Sequence, residues 1–132
     1  MNSEADRRSV FNVSALAQEH LAAAAASPHG RSAHLFVHDG PLRQTIVALR
    51  SGSELSEHNA PPAATVHVLT GRVTMYGSNG SIELGPGDIG IVPQERHGVR
   101  ALEDTVFLLT AGTSTPLGGR DWGIRKAATA AV

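Results

Sequence analysis

Residues Gly52 to Gly71 read GSELSEHNAPPAATVHVLTG. A glycine closes each end, Pro61-Pro62 divides the stretch, and an apolar alternation fills its second half. Ala64, Val66 and Val68 share one parity, and Thr65, His67 and Leu69 share the other. That is the period of a strand with one buried face. If the Ala64 row faces a core, His67 faces away from it. A bulge after Pro61-Pro62 would invert this, because one inserted residue turns every later side chain over. His58 stands before the prolines.

The flanking sequence repeats the strand pattern. Short segments rich in β-branched residues run from His34 to His38, Gln44 to Arg50, Arg72 to Tyr76, Ser81 to Leu84, Asp88 to Val92 and Thr105 to Thr110. Asp39-Gly40-Pro41, Ser78-Asn79-Gly80 and Gly85-Pro86-Gly87 separate them, and Asn79-Gly80 suits a hairpin turn with positive φ. Short strands at this spacing predict an all-β sandwich or small barrel. The first thirty residues differ. VSALAQEHLAAAAAS has good helix formers, with Val13, Leu16, Ala17 and Leu21 at helical spacing. Asn12 or Ser14 would cap its start, and Ser27 to Gly30 would stop it. The alanine run gives this helix a shallow face suited to a sheet or a partner subunit, with His20 on its exposed side. The expected organisation is an arm and helix over 1–30, a barrel over 31–111 and a tail over 112–132. The single Trp, Trp122, lies in that tail and is expected to pack on the barrel or on a partner.

Composition narrows the chemistry. At 132 residues the chain is long enough for one domain with its own core. With no Cys, it offers no disulfide, thiolate metal site or thiol nucleophile. That fits a cytoplasmic protein, and the polar start predicts no signal peptide. A net charge of −1 and a lack of basic stripes disfavour nucleic-acid binding. No apolar run is long enough to predict a membrane span.

The spacing around the opening stretch resembles the cupin superfamily, whose members are RmlC-like double-stranded β-helices of jelly-roll type. Its first motif is Gly, five residues, His-x-His, three or four residues, Glu, six residues, Gly. Here Gly52, His58 and Gly71 keep the frame, while Ala60 and Ala64 occupy the second His and the Glu positions. In the second motif Gly87 and Pro93 fit, Glu95 stands where a Gly is expected, and His97 arrives one residue early. The resemblance extends over roughly Leu42 to Leu109 and is nearest to small bacterial single-domain cupins with no assigned reaction.

The resemblance implies a barrel pocket around His58 and His97, walled by Ala60, Ala64, Val66 and Val68. The two histidines are the candidate ligands of a divalent transition metal (Zn, Fe, Ni, Cu or Mn), with His67 as a third candidate against the parity argument. A catalytic metal of this kind takes three or four protein ligands and keeps a position open. Such a site would serve an isomerase, dioxygenase or lyase acting on a small polar molecule. The alternatives are a metal-free cupin that binds or senses a small molecule through the same histidines, and a homodimeric interaction module. Plainer roles exist for each residue. His58 would be a hydrogen-bonded interior residue, and His97 a donor to a carbonyl after Pro93. His34 and His38 would share a surface with Phe36, while Glu57 and Glu95 would be solvated charges.

Overall fold

The structure, a computed structural model, describes residues 9–58 and 60–113, with Glu57 and His58 described by backbone alone. The start of the expected arm and the segment from 114 onwards, Trp122 included, lie outside the described residues.

One helix, α1 (Val13–Ala26), precedes nine strands among the described residues: β1 (Arg31–Asp39), β2 (Leu42–Leu49), β3 (Glu54–His58), β4 (Ala63–Thr70), β5 (Val73–Gly77), β6 (Gly80–Leu84), β7 (Ile89–Ile91), β8 (His97–Ala101) and β9 (Thr105–Gly112). They form a five-stranded sheet of order β1-β2-β9-β4-β7 and a four-stranded sheet of order β3-β8-β5-β6. Every pairing is antiparallel. This is the sandwich predicted from the strand spacing, in the jelly-roll form that the resemblance implies, with a helix added on one side.

Alternation builds the core. Val47 and Leu49 of β2, Ala64, Val66 and Val68 of β4 and Phe107 of β9 meet Val73 and Met75 of β5, Leu84 of β6 and Val99 and Ala101 of β8. These residues fill the space between the sheets, and Phe107 is the largest fully buried side chain among the described residues. The opposite parity of β2 and β9 builds a second layer. Ile46, Ala48 and Val106 pack against Ala24 of α1, with Val13, Leu16, Ala17 and Leu21 around it. The helical spacing read from the sequence is the spacing of this contact face. Asn12 caps the helix by accepting from the Ala15 amide at 2.8 Å. No helix among the described residues is long and apolar enough to cross a membrane.

Three expectations of detail change. β3 and β8, which lack the β-branched alternation of the others, are strands. In the β5–β6 hairpin Gly77 pairs with Gly80, so Ser78 and Asn79 form the tip and Gly80 alone carries the positive φ, at 119°. In β1 the register shifts between Leu35 and Val37, so His34 pairs with Ile46 but His38 with Arg43. The bulge puts the two histidines on opposite faces, which overturns the shared surface expected from their spacing.

Candidate functional site

The motif frame has a backbone cause. Gly52, Gly71 and Gly87 all have φ of 88°, a region that side chains with a Cβ rarely enter. Gly71 is additionally crowded, because a Cβ there would collide with the Asp104 carbonyl and with Thr105. Thr105 is fully buried, and its hydroxyl accepts from the Arg72 amide at 3.0 Å. These glycines set the turns that lead into β3, β5 and β7.

His97 opens β8 and is one of two buried polar residues among those described, at 3% exposure. It shares the parity of Val99 and Ala101, which belong to the core between the sheets. Its Nδ1 lies 3.0 Å from the carbonyl oxygen of Glu95. A carbonyl only accepts, so Nδ1 carries the proton and Nε2 is the acceptor nitrogen of the neutral ring. The plain role expected for His97, donation to a carbonyl after Pro93, is therefore real, and it fixes the tautomer.

His58 ends β3, and its Cα partner on β8 is His97. A register shift between Leu55 and His58 creates this pairing. Leu55 pairs with Val99, so regular counting would bring Glu57 opposite His97, and one extra residue brings His58 there instead. Of the wall residues, Ala64, Val66 and Val68 are buried in the core and Ala60 packs against it. Parity in β4 is unbroken up to Val68, the register running regularly from Ala63 opposite Gly112. His67 accordingly stands in the outward row, half-buried, paired with Leu108 of β9 and Ile89 of β7.

Other polar residues differ from their sequence reading. His20 is half-buried rather than exposed, with its Nδ1 2.7 Å from the Ser32 hydroxyl and its ring stacked on His34 at 5.8 Å. Glu95 is engaged. Its carboxylate accepts from the Asn79 side-chain amide at 2.8 Å, the Ser78 hydroxyl at 3.2 Å and the Asn79 backbone amide at 3.4 Å. The sequence signal for this was a Glu at a motif Gly.

No family model matches the chain, and no curated protein sequence matches it. Solved structures do match. A cupin superfamily protein from Desulfitobacterium hafniense superposes with a TM-score of 0.59 at 15% identity, over 64% of this chain and 78% of that one. This chain has the cupin fold. KdgF from a Halomonas species is similar at TM-score 0.56 and 22% identity, over 67% of this chain and 84% of that one. A salicylate 1,2-dioxygenase variant from Pseudoaminobacter salicylatoxidans, in complex with gentisate, gives TM-score 0.64 at 16% identity, over 74% of this chain and 32% of that one.

The cupin fold raises the question of a metal, and the donor groups of the described residues bear on it. No group of three or more His, Cys, Asp or Glu able to hold a metal ion occurs among the described residues. Ala60 and Ala64 bring no donor atom to the cupin motif positions they occupy, and His67 stands in the outward row. The donors left at motif positions are two imidazoles, fewer than a resident catalytic metal requires. Among the described residues no three-ligand metal centre is assembled.

Proposed function

We propose that this protein is a small-molecule-binding cupin in which His58 and His97 anchor the polar end of an organic ligand. The supporting observation is the rung at which these two residues are Cα partners, with His97 buried at 3% exposure inside an aliphatic core. A ligand with an apolar body and one hydrogen-bonding or anionic group suits that environment. Ala60, Ala64, Val66 and Val68 would contact the body, and the imidazoles would fix its orientation. The chemistry within reach of a neutral imidazole is hydrogen bonding and proton transfer. A fold neighbour in complex with gentisate motivates including small aromatic acids among the candidates.

The test is thermal denaturation of untagged protein across a panel of small organic acids and polar metabolites, with metal content measured on the same sample. The expected result is at least one stabilising compound whose effect disappears in His97→Ala. A ligand at a hundred times its Kd stabilises the fold by about 2.7 kcal/mol, so the shift is readable. One equivalent of metal, lost in His97→Ala, would replace this reading with the metal-dependent enzyme. No stabilising compound and no metal would leave the barrel without a ligand role.

A homodimer is the second reading, favoured by the exposed outward side of the five-stranded sheet. Helix α1 packs on β1, β2 and β9, whereas Ile89 and Ile91 of β7 are 61% and 55% exposed. Two exposed isoleucines on one face of an edge strand, beside half-buried Thr65 and His67 of β4, are the kind of surface that a second copy covers.

A further inference from the structure

The carboxylate of Glu95 joins two parts of the molecule that the sequence keeps apart. On one side is the exposed hairpin tip of Ser78 and Asn79, whose three donors all converge on it. On the other is His97, two residues along, whose Nδ1 proton is held by the Glu95 main-chain carbonyl. The two parts also meet through the sheet, because Gly77, the last residue before the tip, is the Cα partner of His97. A Cβ at Gly77 would meet the Glu95 carboxylate, which would have to move aside to admit it. The carboxylate therefore passes over Gly77 to reach the tip.

We propose that Glu95 is a positioning residue: by clamping the hairpin tip it holds the main chain at 95–97 so that the Glu95 carbonyl selects the Nδ1–H tautomer of His97. That tautomer leaves Nε2 as the ring's acceptor. The inference rests on the proposed ligand site for its purpose, but its physical content concerns the protein alone. It also gives a reason for the departure from the motif. A Gly at this position would supply the carbonyl without the clamp.

The tautomer is read directly, without ligand, from the ring nitrogens of His97 in ¹⁵N-labelled protein at a pH where the ring is neutral. Wild-type protein should show a protonated Nδ1 and an unprotonated Nε2. The double variant Ser78→Ala/Asn79→Ala removes two side-chain donors from the carboxylate and leaves residues 95–97 untouched. It should move the His97 nitrogens towards a mixture of tautomers, in the same direction as Glu95→Ala, while Glu95→Gln should retain part of the wild-type signature. His97 nitrogens unchanged in the double variant, with the remaining spectrum native, would overturn the proposal. So would wild-type protein with the proton on Nε2. Because the double variant changes only an exposed tip, it reads the clamp even where Glu95→Ala fails to fold. Failure of the clamp leaves the ligand screen unaffected, and failure of the screen leaves the tautomer measurement valid.

Discussion

At Gly71 one missing methyl group decides whether β4 can turn into β5. The residue has φ of 88° and lies against the Asp104 carbonyl and Thr105, so Gly71→Ala imposes both backbone strain and a steric collision. Strain of this kind costs about 1–3 kcal/mol, and displacing Thr105 adds the loss of its bond to the Arg72 amide. Urea denaturation of Gly71→Ala should show a lower midpoint with an unchanged slope. Phe107 offers a contrast, because its contribution is volume rather than conformation. It is 1% exposed at the centre of the core, and Phe107→Ala should cost about 3–5 kcal/mol by the same measurement. His97 differs from both. Its burial is made tolerable by the Glu95 carbonyl, so His97→Ala is expected to lose ligand stabilisation while remaining folded.

At the scale of elements, sequence legibility followed side-chain alternation. β4 was readable because Ala64, Val66 and Val68 are buried while Thr65, His67 and Leu69 are less so. The helix was readable because Val13, Leu16, Ala17 and Leu21 pack on one layer. β3 and β8 were not readable by the same means. ELSEH carries no β-branched residue, and in β8 His97, Gly98 and Val99 are buried in succession, which erases the period. Yet these two strands carry His58 and His97, which were found through motif spacing alone. The bulge that pairs them left no mark in the sequence, nor did the bulge that separates His34 from His38. Helix α1 carries its own prediction. Asn12→Ala should cost about 1 kcal/mol through the lost cap. Removing residues 1–30 should do more, because Ile46, Ala48 and Val106, all nearly inaccessible, would become exposed. Increased binding of a hydrophobic dye by the truncated chain would register that exposure. Dye binding equal to that of the full chain would show the second layer to be dispensable.

At the scale of the whole molecule, the described residues form two sheets and one helix around two apolar layers, and none of them covers the outward side of β7. A homodimer through that side predicts twice the chain mass by light scattering at micromolar concentration. Ile89→Lys together with Ile91→Lys should return a monomer with an unchanged melting curve. A wild-type monomer at that concentration would remove the dimer reading. The opposite rim of the same sheet is finished in another way. β1 has nine residues and, among the described residues, one neighbouring strand, the form of edge that recruits foreign strands and seeds aggregation. Its ladder is interrupted at Phe36, which turns beneath the helix and meets Phe11 edge-on at 5.4 Å. An incoming strand would lose register at that point, so the irregularity that scattered two histidines also protects the folded chain from growing by accretion.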